Sequence, residues 1–211
     1  MSRLERLNER YRTHHAENRG SDFVFGGNAR ASAIARFVGG PGLRVLDVGC
    51  RTGALTQHYA PGNHVVGVDV DRDALAYTAE RLEIETLWAD VEETLPFDDA
   101  SFDVVVAGEI LEHLADPAAA VDQVRRVLKP GGRFVGSVPN AFRLKSRLAY
   151  AAGRLPGDHD PTHLQLFSPH ALRALLAAFE DVQINFVVGR LVPLHARLFA
   201  NDQVFSARKH G

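Results

Sequence analysis

Val45-Leu-Asp-Val-Gly-Cys-Arg-Thr-Gly53 and, further on, Val65-Val-Gly-Val-Asp69 decide how this chain folds. The first stretch is an apolar strand running into a glycine turn. The second is another strand, ending on a carboxylate. A glycine turn at the carboxyl end of a buried parallel strand lets a ligand reach backbone that a side chain would cover. An acid about 20 residues later, at the tip of the next strand, is placed to take both hydroxyls of a ribose. The pair predicts a nucleoside-binding α/β domain.

Length and charge bound the remaining possibilities. With 211 residues, 45% hydrophobic and 24% charged, the chain has enough material for one full core. A formal net charge of −2 gives no global drive towards nucleic acid or an anionic membrane. No apolar run has transmembrane length, and Met1-Ser-Arg-Leu-Glu-Arg reads as a charged helix start, unlike a signal peptide. Cytoplasmic localisation is the expectation. The single cysteine, Cys50, excludes an internal disulfide and cannot by itself build a zinc cluster.

Working outward, strands and helices alternate. Leu4, Leu7 and Tyr11 share a face of an N-terminal helix, and Asn28 opens a helix burying Ala31, Ile34 and Val38. Strands are expected at 43–48, 64–69, 85–88, 102–107 and 133–138, with helices from about Gly53 to Ala60 and from Asp73 to Glu83 between them. Asp116-Pro117 and Ser168-Pro169 each supply a cap with proline in the first turn, the second helix reaching Phe179. Two β-rich runs, 182–188 and 203–207, follow. This alternation predicts a parallel sheet wrapped on both faces, with its ligand at the strand carboxyl ends. Residues 1–40 read as a helical cap segment on a domain spanning 41–211.

The glycine spacing discriminates between ligands. A dinucleotide fingerprint is G-x-G-x-x-G, whereas this turn is Asp47-x-Gly49-x-x-x-Gly53. The spacing counts against a pyrophosphate and towards S-adenosylmethionine, which carries none. Four further segments fall in order: Trp88-Ala-Asp90-Val91, Phe102 to His113 with Glu109-Ile-Leu-Glu-His113 at its end, Leu128-Lys-Pro-Gly-Gly132, and the two terminal strands. As a set they resemble the class I S-adenosylmethionine-dependent methyltransferases, in particular the small-molecule branch with an E-x-L-E-H motif. The resemblance implies a Rossmann-like, seven-stranded, mostly parallel sheet whose last strand is antiparallel.

It also implies residue roles. Asp47, Gly49 and Gly53 would hold the methionine part, with Cys50 a small filler in the same turn. Asp69 would take the ribose, Val70 would pack beside adenine, Asp90 would accept from its amino group and Val91 would donate a backbone N–H. Ala107 would lie near the methionine carboxylate or amine. A lone acid at any of these positions would read as a cap or loop residue. Three acids at successive strand tips favour function. Arg51 stands where the family commonly has glycine, so it must leave the pocket or accept a strained backbone.

The acceptor side offers two readings. Glu109, Glu112 and His113, spaced i, i+3, i+4, would meet on one helical face beside the methyl position. With His163, this triplet is similar to the metal site of ubiquinone-pathway O-methyltransferases and small-RNA 2′-O-methyltransferases, which implies Mg²⁺, Mn²⁺ or Zn²⁺. The segment Asp158-His-Asp-Pro-Thr-His163 is equally similar to the lid of metal-free relatives, with His113, His163 or His159 as a base or acceptor contact. The acceptor lid spans about 140–168. Arg143, Lys145, Arg147 and Arg154 in it read either as a solvated helix face or as a basic rim for an anionic acceptor. By the same resemblance His15 would fold over the cofactor, as N-terminal segments in the family do; the other histidines read as surface or packing residues. The expected function is methyl transfer, at oxygen, to a small-molecule or glycan-like acceptor by a monomer or homodimer, with no nucleic-acid or membrane partner. The alternative is a non-catalytic regulator on the same fold, because Val138-Pro-Asn-Ala-Phe-Arg-Leu-Lys is similar to methionine-biosynthesis accessory proteins.

Overall fold

A computed structural model describes residues 1–18, 27–156, 160 and 162–211, the side chains of 14–18 excepted. His159 and the side chain of His15 therefore lie outside the described residues. Seven strands form one sheet: β1 (Arg44–Val48), β2 (His64–Asp69), β3 (Glu85–Trp88), β4 (Phe102–Gly108), β5 (Leu128–Pro139), β6 (Glu180–Val187) and β7 (Asp202–Arg208). Their order is β3-β2-β1-β4-β5-β7-β6. The first five are mutually parallel, with Val45 beside both Val65 and Val104. Strand β7 slots antiparallel between β5 and β6, as expected for a last antiparallel strand.

Side-chain alternation builds a core on each face of the sheet. Val45, Val65, Val104, Val106, Val135 and Val204 face α2 (Gly27–Val38) through Ala33, Ile34 and Val38. Leu46, Val48, Val66, Val68, Val105 and Ala107 face the other way, onto α4 (Pro117–Val127) and α6 (Pro169–Leu175). Full burial of each large aliphatic side chain contributes about 1.5–3 kcal/mol. Caps fix where the helices begin. Asp71 accepts from the Ala74 N–H to open α3 (Arg72–Leu82), Asp116 accepts from Ala118 and Ala119, and Ser168 accepts from Ala171. The remaining helices are α1 (Arg3–Asn18), α5 (Leu144–Ala151) and α7 (Ala196–Phe199).

Three boundaries differ from the sequence expectation. The helix expected from Gly53 to Ala60 is a single 3-10 turn, Thr56–His58. In such a turn residues three apart eclipse, which aims Thr56 and Tyr59 together at Asp47. Helix α6 stops at Leu175 instead of reaching Phe179, and β5 begins at Leu128, ahead of the strand start expected at 133.

Candidate active site

The carboxyl ends of β1, β2 and β4, together with α1, enclose a cavity of about 360 Å³. Asp47 and Gly49 at the tip of β1 line it, as do Cys50, Asp69, Val70, Asp90 and Val91. All three strand-tip acids are buried, at 2%, 8% and 5% exposure for Asp47, Asp69 and Asp90.

Each acid is held differently. Asp47 Oδ2 accepts from the Thr56 hydroxyl at 2.6 Å and the Tyr59 hydroxyl at 2.7 Å. Burial pushes its carboxyl up to about 6, against the pull of those two donors. Asp69 accepts backbone N–H groups on both oxygens, from Arg51 at 2.8 Å and from Asp71 at 2.9 Å. The carboxylate thus pins the glycine turn to β2 at the cavity wall. Asp90 accepts from the Glu92 N–H at 2.9 Å and meets Arg3 Nε of α1 at 2.7 Å. Arg3 also pairs with Glu92, whose other oxygen accepts from Ala115 and Asp116.

Two predicted contacts fall elsewhere. Gly53 has φ +68° and does not line the cavity; a Cβ there would meet Leu82 at 2.6 Å and Thr78 at 2.9 Å. It is the site where α3 packs close to the turn. Ala107, 1% exposed, points into the core, and its neighbour Gly108 lines the cavity instead. Strand alternation explains the shift, since adjacent residues face opposite sides. Arg51 takes the strained option: it lines the cavity at φ +46°, with its carbonyl accepting from Thr78.

The sequence reading missed Arg30. This α2 guanidinium is 4% exposed, lines the cavity, and lies 3.1 Å from Glu109 and 3.2 Å from the Ser137 hydroxyl. A helix that reads as core packing gave no signal for it except a cation amid Ala29, Ala31 and Ala33. The α1 residues Leu7 and Tyr11 were assigned only to a helix face, yet together with Arg3 they line the cavity.

A second cavity of about 160 Å³ adjoins the first, sharing Glu109 and His113 as lining residues. Glu112, Asn140, Arg143, Tyr150 and His163 complete much of its wall. The expected helical face is not formed here. Glu109 sits at φ +60° ahead of a 3-10 turn, Leu111–His113, and pairs with Arg30. Glu112, His113 and His163 do converge, with one potential ligand atom from each within 4.8 Å of the others. Glu112 is 1% exposed, and neither carboxylate oxygen has a hydrogen-bond partner. Burial, and then Glu109, push its carboxyl well above the usual range. Asp202, beneath the same cluster, is driven up to about 8 by burial and then by Glu109, against Arg30 and Arg143.

The lid is stitched to this turn. The Glu112 carbonyl accepts from Leu164 and Gln165. His113 Nδ1 lies 3.3 Å from the Thr162 carbonyl and 3.1 Å from its hydroxyl, and that hydroxyl donates to Asp160. Both partners accept, so Nδ1 carries a proton. The His113 and His163 rings stand edge to face at 4.8 Å.

Comparison with known proteins places this geometry. Residues 46–136 match the methyltransferase-domain family. Ubiquinone biosynthesis O-methyltransferases are similar to the chain. That of Alkalilimnicola ehrlichii is 39% identical over 118 residues, covering 53% of this chain and 48% of the relative. That of Idiomarina loihiensis is 35% identical over 163 residues, covering 70% and 65%. The chain spans about half the length of most of the curated relatives it matches. A SAM-dependent methyltransferase from Archaeoglobus fulgidus superposes with a TM-score of 0.71 at 22% identity, over 94% of this chain and 99% of that one. Residues 46–136 thus carry the match to a methyltransferase domain, on a seven-stranded fold that the chain shares with a solved SAM-dependent methyltransferase.

Proposed function

We propose that this protein is a methyltransferase carrying a methyl group from S-adenosylmethionine to an oxygen of a small-molecule acceptor. The observation that carries the reading is the junction of two cavities at Glu109 and His113, one lined by three buried strand-tip acids and the other by histidines. The names of the similar O-methyltransferases support oxygen as the accepting atom.

When bound, S-adenosylmethionine supplies a methyl group made electrophilic by its sulfonium. The chain's contribution is alignment and proton handling. Asp47 would accept from the cofactor ammonium, whose charge would draw its carboxyl back towards the ionised form. Arg30 would meet the carboxylate at the same end. Asp69 would take the ribose hydroxyls, and Asp90 and Val91 would meet the adenine edge. His113, with Nδ1 anchored on Thr162, would present Nε2 to the acceptor hydroxyl, and His163 stands beside it as the second candidate. The acceptor is expected to be small or glycan-like and, beside Arg143, anionic. The intact acids favour catalysis over a regulator that has lost its cofactor.

A second reading of the acceptor site rests on Glu112. Two buried carboxylate oxygens without partners, facing His113 and His163, fit a divalent cation, and those three residues would hold it. Such an ion would lower the pKa of an acceptor hydroxyl. Glu109 joins it only by releasing Arg30. If the ion is required, chelation abolishes transfer and leaves S-adenosylhomocysteine binding intact. Full turnover by metal-analysed, chelator-treated protein ends this reading.

Calorimetry with S-adenosylhomocysteine and NAD tests the main proposal. Binding of the first and not the second is expected, with methyl transfer to a hydroxylated acceptor panel. Failure to bind S-adenosylhomocysteine would overturn it.

A further inference from the structure

Six of the large hydrophobic side chains that stand exposed are leucines of two segments: Leu148, Leu155, Leu164 and Leu166 in the lid, and Leu191 and Leu194 ahead of α7. Leu194 is 75% exposed and Leu155 64%. The segments meet in space. Helix α5 packs on α7, and the Asn140 amide donates to the carbonyls of Arg197 and Ala200.

Their charge is one-sided. Residues 140–156 and 188–200 together contain six arginines and lysines and no aspartate or glutamate, in a chain whose formal charge is −2. Arg147, Arg154, Arg190 and Arg197 are exposed, and the ion pairs of the described residues include none of them. Asp160, in the intervening loop, is turned inward to accept from the Thr162 N–H and hydroxyl. An expectation of no membrane partner drawn from net charge averages over this asymmetry.

We propose that this face docks on an anionic lipid surface, the leucines entering the headgroup region and the arginines pairing with lipid phosphates. Even with Asp158 and Asp160 of the lid counted, six cations stand against two acids in these segments, and apolar side chains among a surplus of cations suit that boundary better than bulk water or a neutral bilayer. No helix among the described residues is long and apolar enough to cross a membrane, so the association is peripheral. Tyr150, Pro156 and Leu166 of the same lid wall the second cavity, which places an amphiphilic acceptor within reach of it. That last step rests on the methyl-transfer reading; the docking face does not, because vesicle binding is read without cofactor.

Flotation of the full chain with vesicles tests it. Binding is expected to phosphatidylcholine–phosphatidylglycerol vesicles, falling as salt rises, and to be absent with phosphatidylcholine alone. Each lost surface cation should weaken binding by about fivefold, so Arg147→Glu with Arg154→Glu should weaken it more than about tenfold. Leu148→Ser with Leu155→Ser should weaken it at unchanged charge. All four side chains are exposed, so melting temperatures should match the parent. Arg125→Glu, in α4, should change nothing. Absence of vesicle binding would overturn the proposal. So would binding of single-stranded RNA in its place, or self-association without lipid that the same variants abolish. S-adenosylhomocysteine binding in every variant keeps failure of the lipid face distinct from failure of the methyl-transfer reading.

Discussion

Asp47 is a buried carboxyl held by two hydroxyl donors. Its pKa rises on folding from an ordinary 3.8 to about 6. The native state therefore binds the extra proton between those values, and unfolding free energy falls as pH rises through that window. The ligand-free protein should gain up to about 3 kcal/mol on acidification from pH 7 to pH 4 through this group alone. Asp47→Asn should flatten that portion of the pH–stability curve and weaken S-adenosylhomocysteine binding; urea titrations across the range and calorimetry check both. Gly53 makes the contrasting case. Because its missing Cβ faces Leu82 and Thr78, Gly53→Val should lower stability by about 2 kcal/mol or more. The remaining folded protein should bind S-adenosylhomocysteine nearly as the parent does. Sequence spacing identified Gly53 as a special glycine but could not tell a ligand contact from a helix contact, because both require the same bare backbone.

Helix α1 shows the limit of local reading at the level of elements. Its apolar face was legible from Leu4, Leu7 and Tyr11, but the destination of that face was not. Arg3 reaches Asp90 and Glu92, and the Asn8 side chain accepts from the Arg72 N–H. These bind the helix across the cavity mouth by polar contacts, several of them solvent-exposed. Arg3→Glu should loosen this roof and speed release of S-adenosylhomocysteine by roughly three- to tenfold, with little change in melting temperature. Stopped-flow displacement measures it, and an unchanged release rate would show that α1 does not gate the site. The turn after β4 failed in a related way. Glu109, Glu112 and His113 have helical spacing, but Arg30, distant in sequence, draws Glu109 aside. A motif's spacing cannot register a partner from another element.

Across the whole molecule, short apolar runs were enough to find all seven strands, because burial on both faces leaves the central strands nearly continuous in apolar residues. The resemblance implied an antiparallel last strand but no strand order, and nothing within 180–208 says that β7 enters between β5 and β6. Packing there is tight. A Cβ at Gly136 would lie 2.4 Å from the Ala107 carbonyl and 2.6 Å from the Phe205 ring. Gly136→Ala should therefore cost about 1–3 kcal/mol, read as a lower urea midpoint at unchanged slope.

That strand order has a consequence for biosynthesis. A ribosome releases β1 to β5 first, and β6 follows with no neighbour to pair with. Until β7 emerges, the outer edge of β5 stays open, a row of unpaired amides and carbonyls bordered by Phe134, Val135 and Val138. The nascent chain is thus most vulnerable to edge-to-edge association late in its synthesis. A ribosome pausing within 188–201 would lengthen that exposure, whereas the open edges left by a pause between β2 and β3 are closed by the next two strands to emerge, β3 and β4.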